Sequence, residues 1–143
     1  MDVKADKIRV EKANRKLSLL KNGQVLKTYR VALGRHPVGH KQREGDGRTP
    51  EGNYRIQWHN PNSAYHLSLK ISYPNPQDRA AALRRGVSPG GFIMIHGLPE
   101  KWGWIGALHA FWDWTNGCIA VTNEEIEEIY RAVPDGTPIE ILP

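Results

Sequence analysis

Thiol chemistry is nearly absent from this chain: its 143 residues hold a single cysteine, Cys118. An internal disulfide is therefore excluded, as is any zinc site that needs two thiolates. Long hydrophobic runs are also missing. No stretch approaches the roughly 18–20 apolar residues that cross a bilayer, so no integral membrane segment is expected. The opening MDVKADKIRVEK is charged and lacks the apolar core of a secretory leader, although a mature chain that had lost one would read the same way. Internal repeats and low-complexity tracts are absent too. What remains is ordinary globular material: 39% hydrophobic and 24% charged residues, with five Trp and five Tyr. Global disorder is excluded, and the length suits one domain over 1–143, expected as a monomer.

The net charge of +5 is unevenly distributed. Residues 1–30 carry nine Lys/Arg against three acids and residues 31–98 nine against four, whereas residues 99–143 carry two against eight. A basic first two-thirds suits an anionic polymer, or it is simply a solvated face of mixed charge. No basic run interleaves with aromatic platforms, so no nucleic-acid partner is expected.

Period-two alternation dominates and predicts strands. Ile8 and Val10 alternate with charges, as do Leu17 and Leu19; Asn22-Gly23 then suits a tight hairpin turn, with a return strand through Val25, Tyr29, Val31 and Leu33. Residues 34–52 are Gly-, Pro- and charge-rich and read as a long loop. Tyr54/Ile56/Trp58 and Leu67/Leu69/Ile71 alternate again. Asp78–Arg85 reads as a short helix stopped by Gly86, and Phe92–Ile95 as an apolar strand ending at His96-Gly97. Residues 98–117 show no period but hold four of the five Trp. Thr122 and Glu125 form a capping box for a helix with Ile126, Ile129, Tyr130 and Val133 on one face, and 137–142 is a last strand. About eight strands and two short helices predict a mainly β domain, sandwich- or barrel-like.

Cys118 follows Gly117 and precedes an apolar run, which describes a tight turn delivering a thiol to the start of a strand. Such a thiol can attack a carbonyl while turn amides hold the oxyanion, or it can be buried filler. A nucleophile needs a base, because a free thiol is only a few per cent ionised at neutrality. His36, His40, His59 and His66 read as surface residues. His96 ends a strand, where function is commonly held on rigid support; His109, among the Trp residues, is the runner-up base or a packing residue. A metal set of His96, His109, Asp113 and Cys118 lacks any close ligand pair, so no metal or cofactor is expected. Trp102, Trp104, Trp112 and Trp114, with Gly103 and Gly106 among them, suit a mobile lid or a core cluster.

IMIHG, followed some twenty residues later by TNGCI, resembles the catalytic domain of L,D-transpeptidases, bacterial enzymes that remodel peptidoglycan. GRTPEG, ISYPN, PGGFIMIHG, DWTNGCIAV and GTPIEI follow the family's order over nearly the whole chain. The resemblance implies a β-sandwich-like catalytic domain with two short helices, in which Cys118 acylates with a peptide stem and His96 takes its proton. It implies that the Gly97 carbonyl orients the imidazole and that Thr115, Asn116 and Gly117 form the turn, with the Gly117 and Cys118 amides as oxyanion donors. Trp102, Trp104, His109 and Trp114 become candidate substrate-binding residues. The implied chemistry is acyl transfer on peptidoglycan stems, with carboxypeptidase or hydrolase activity, or a non-catalytic wall-binding module, as alternatives. Its implied place is the periplasm or cell wall, and carbapenem acylation of Cys118 is expected. Two positions depart from the family's commonest motif: Asn116 stands where His is usual and Ala120 where Arg is usual.

Overall fold

The computed structural model describes residues 3–143; Met1 and Asp2, part of the opening segment read above, lie outside the described residues. Eight strands form in chain order: β1 (Lys7–Glu11), β2 (Lys16–Lys21), β3 (Gln24–Arg30), β4 (Gly52–Ser63), β5 (His66–Ile71), β6 (Met94–His96), β7 (Ile119–Ala120) and β8 (Pro138–Leu142). Their lateral order is β3-β2-β1-β8-β4-β5-β6-β7. The β1–β8 and β6–β7 pairs are parallel and all others antiparallel.

The long strand β4 joins two halves. Gly52–Arg55 pairs with β8, whereas Ile56 onward pairs with β5 after a register shift between Ile56 and Trp58. A bulge of this kind bends and twists the strand, so one strand serves both halves. Ile8, Val10, Leu17 and Leu19 from one half meet Leu69, Ile71, Ile95 and Ile119 from the other in a single apolar core.

Helix α1 spans Pro76–Arg85 and helix α2 spans Asn123–Ala132. Each carries a complete capping box, Asn75 with Asp78 and Thr122 with Glu125. The α2 box matches the sequence expectation. The α1 box starts that helix two residues before the expected Asp78, because Pro76 occupies the first turn, where its missing N–H costs nothing. Ile126 and Ile129 bury the inner face of α2, which packs against β5. The expectation of two helices is corrected by a third helical stretch. Residues Glu100–Phe111 form 3-10 turns interrupted at Gly106 (φ 57°), and short pieces of a three-residue period leave no amphipathic signature. The strand expected from Phe92 starts at Met94 instead, because Phe92 adopts a left-handed φ of 55°.

Candidate active site

The β6–β7 pair places the two reactive side chains. Ile95 pairs with Ile119 and His96 with Ala120, so Cys118, one residue before β7, lies beside Met94. Side chains alternate faces, which sends Ile95 and Ile119 into the core and sets Cys118 and His96 on the other face as diagonal neighbours. Both line one pocket of about 310 Å³, together with Tyr65, Phe92, Met94 and Asn116.

His96 is 2% exposed, and its Nδ1 donates to the Gly97 carbonyl at 2.7 Å. A carbonyl only accepts, so Nδ1 carries the hydrogen and Nε2 of the neutral ring is left as the basic nitrogen. Tyr65, at the tip of the β4–β5 hairpin, stacks on the imidazole with centroids 4.2 Å apart and planes 25° from parallel. Gly97 is sterically required. A Cβ there would lie 2.5 Å from Asn123 Oδ1 and 2.9 Å from the Tyr65 carbonyl oxygen, which accepts the Gly97 N–H.

The Cys118 Sγ receives the Met94 N–H at 3.4 Å and faces the Phe92 carbonyl oxygen at 3.3 Å. The left-handed Phe92 backbone is thus the segment whose carbonyl meets the thiol, a costly conformation for an aromatic residue. Burial pushes the Cys118 thiol up, against smaller opposing effects of the Met94 N–H and the Lys41 and Lys70 ammonium groups. Burial also pushes the His96 imidazole down to about 4, with the Gly97 carbonyl acting the other way. Both shifts favour the neutral thiol and the neutral imidazole over the ion pair.

Thr115 braces the turn: its Oγ1 donates to the Cys118 carbonyl at 2.7 Å and accepts the Gly117 N–H at 3.1 Å. That second bond already engages the Gly117 amide, one of the two expected oxyanion donors. Gly117 itself, at φ 127°, sits so close to loop 34–51 that a Cβ would lie 2.8 Å from the Arg48 carbonyl oxygen. Asn116 Oδ1 accepts from Arg35 Nη2, which reaches over from that loop. Ala120 is fully buried, and its backbone pairs with Ala32. The position where Arg is usual therefore holds a buried methyl group.

The Trp-rich segment walls a second pocket of about 330 Å³, lined among others by Trp102, Ile105, His109, Trp112 and Trp114. Tyr65 and Trp114 border both pockets. Trp104 lines neither and is 79% exposed. His109 is not among the residues lining the sulfur pocket, so His96 is the imidazole that shares it with Cys118. Asp113 is engaged by Arg15 Nη2 at 2.8 Å and by the Leu33 N–H at 3.0 Å, far from acting as a free ligand. His40 is no simple surface residue: it bridges Asp78 Oδ1 and the Glu51 N–H, both at 2.8 Å. Sequence reasoning missed Tyr65, Lys41, Lys70 and Arg35. None lies in a motif, and each reaches the site only through tertiary folding.

A buried imidazole oriented by a carbonyl thus shares one pocket with a lone thiol on a mainly β scaffold, the pair of groups that cysteine-dependent acyl transfer requires. The model of the L,D-transpeptidase catalytic domain (YkuD) matches residues 5–141, and the chain belongs to that family. Escherichia coli YafK, provisionally named an L,D-transpeptidase, is 34% identical over 113 residues, which cover 77% of this chain and 38% of that protein. The chain thus spans well under half of that relative's length. Among solved structures, the helical cell shape determining protein Pgp2 of Campylobacter jejuni matches with a TM-score of 0.74 and 26% identity, over 98% of this chain and 48% of that one. An L,D-transpeptidase from Mycobacterium smegmatis shares the fold, with a TM-score of 0.63 at 13% identity, over 96% of this chain and 58% of that one.

Proposed function

We propose that this chain is a cysteine acyltransferase acting on the peptide stems of peptidoglycan. The observation that carries the reading is the Nδ1–Gly97 bond at 2.7 Å, which leaves the basic nitrogen of His96 in the pocket that also holds Cys118. His96 Nε2 takes the thiol proton as sulfur attacks the carbonyl between an L-centre and a D-residue of the stem. The C–N bond breaks, the imidazolium returns the proton to the leaving amine, and a thioester remains on Cys118. An acceptor amine then attacks the thioester carbonyl, loses its proton to His96, and thiol is regenerated. Water in place of the amine makes the same cycle a carboxypeptidase or hydrolase.

The Cys118 N–H is the oxyanion donor of the turn, since Thr115 occupies the Gly117 N–H. Arg35, held by Asn116, presents a guanidinium for a stem carboxylate at the pocket rim. Substrate of this kind places the protein outside the cytoplasmic membrane, and remodelling it bears on cell shape, the property for which Pgp2 is named. A non-catalytic wall-binding module has no use for the thiol–imidazole pair.

The test is incubation with defined tetrapeptide stems, followed by mass analysis of protein and products. A thioester adduct on Cys118 and released D-residue are expected, both lost in Cys118→Ala; His96→Ala should slow acylation by about 10²–10⁴-fold. Stem cleavage that persists in Cys118→Ala would end the reading.

A further inference from the structure

One charge near the sulfur has no part in the cycle above. Lys70 stands in β5 at 8% exposure, between Leu69 and Ile71, which belong to the apolar core. Alternation turns Lys70 to the opposite face of the strand, the face that carries Cys118 and His96. The register makes the relation specific. Lys70 pairs with Met94 across β5–β6, and Ile95 pairs with Ile119 across β6–β7, so the parallel ladder sets Met94 beside Cys118. Lys70, Met94 and Cys118 thus form one row over three adjacent strands, about 4.8 Å from each to the next. The far end of the row is hydrogen-bonded, since the Met94 N–H donates to Cys118 Sγ at 3.4 Å.

Buried ammonium groups are normally paired with carboxylates. Lys12 and Lys41 obey, with Glu51 at 3.1 Å and Asp46 at 3.0 Å. Lys70 does not. Its Nζ donates to the carbonyls of Ile71 and of Tyr73, the latter at 3.1 Å, and no carboxylate lies within ion-pair distance among the described residues. The titratable groups of the surrounding elements are engaged elsewhere. Strand β4 sets the uncharged Trp58 opposite Lys70, and Tyr73 spends its hydroxyl on the Pro89 carbonyl at 2.8 Å. Helix α2 meets β5 with Glu127 at His66, 3.8 Å away, and Lys41 of the polar loop also acts on the sulfur but is paired with Asp46. Burial pushes the Lys70 ammonium below its usual range, and Cys118 is the charge that acts to hold it up. We propose that Lys70 is a positioning residue of the sulfur site, a fixed counter-charge that steadies negative sulfur when its proton leaves and again when the thioester releases it. Lys70 lines no part of the sulfur pocket, so it acts through Cys118 and not on substrate. The inference rests on the acyl-transfer reading for what the sulfur does, but its test uses no stem.

The experiment is the pH–rate profile of Cys118 alkylation by iodoacetamide in the unmodified chain and in Lys70→Met. Loss of the counter-charge should raise the midpoint by about one pH unit or more. At pH 7 the rate should fall about three- to fivefold, less than tenfold because the more basic thiolate is the better nucleophile. The sign separates this role from a structural one. Burial holds the thiol above its usual range, so a site merely loosened by the substitution would bring the midpoint down. Where Lys70→Met does not fold, Lys70→Gln, which keeps a donor for one of the two carbonyls, is read in its place. A reciprocal measurement leaves Lys70 intact: its ¹³Cε resonance should titrate at lower pH in Cys118→Ala than in the unmodified chain, because coupling between two sites acts equally in both directions. An unchanged or lowered alkylation midpoint, or equal Lys70 titrations with and without the sulfur, overturns the proposal. Should alkylation depend on Lys70 while stems never acylate Cys118, the counter-charge stands and the acyl-transfer reading falls.

Discussion

Residues 34–51 and residues 100–114 flank Cys118 from two sides, and their compositions suggest the reverse of how each is held. The first stretch is polar and rich in glycine, yet buried charge locks it in place. Lys12, 2% exposed, donates to the carbonyls of Gly39 and Thr49 and to Glu51. Asp46 accepts Lys41 Nζ at 3.0 Å together with the N–H groups of Gln42, Arg43 and Arg48. Burial works to raise that carboxyl, but these donors outweigh it and hold it at about 2. The second stretch holds four of the chain's five Trp, but Trp104 and Phe111 point into solvent and Trp102 and Trp112 are more than half exposed. Rigidity here follows satisfied buried donors and acceptors rather than apolar content. The polar loop fixes the turn that carries Cys118, while the aromatic segment leaves most of its rings at least half in solvent.

The sharpest way to break this contrast is Asp46→Ala. Removing the carboxylate strands the Lys41 ammonium in a buried site and frees three backbone N–H groups, so unfolding free energy should drop by about 3–5 kcal/mol in urea titration. A loss below about 1 kcal/mol would mean the loop is not locked by charge. Acid should then separate the two regions. His96 and His109 hold pKa values of about 4 in the fold against 6.5 when exposed, so the unfolded chain binds more protons between those values. Stability is therefore lost as pH falls from 6.5 towards 4, by up to about 3 kcal/mol per imidazole. The Asp46 contribution follows later, lost as pH falls from 3.8 towards 2, and is about 2 kcal/mol. Unfolding measured from pH 7 to 3 should show the histidine phase first, with His109→Asn removing part of it. A flat profile between pH 6.5 and 4 would contradict the buried neutral imidazoles. The smallest effect belongs to the open side: Trp104→Ala should shift stability by no more than about 0.5 kcal/mol. A larger loss would show that the exposed ring braces the segment after all.

Much of the frame was legible because local rules and tertiary structure agree. Asn22-Gly23 turns the hairpin at positive φ, and the Thr122/Glu125 box starts α2 as its spacing requires. Cys118 and His96 were legible because a Gly-Cys turn and a strand-ending His carry their chemistry in adjacent residues. What escaped lacks any period or motif. Tyr65 sits at a hairpin tip, the Phe92 backbone is left-handed with no glycine to announce it, and Lys41 and Lys70 are charges that only the fold buries. The 3-10 turns are broken by Gly106 before any repeat accumulates, and composition does not say which ring of the Trp cluster faces inward.

Tyr65 carries a further implication. Its ring overlies the imidazole while its own carbonyl grips the residue that aims that imidazole, so the β4–β5 tip and the His96 ring form one mechanical piece. A load applied to the outer end of that hairpin would therefore reach the imidazole through ring and backbone together.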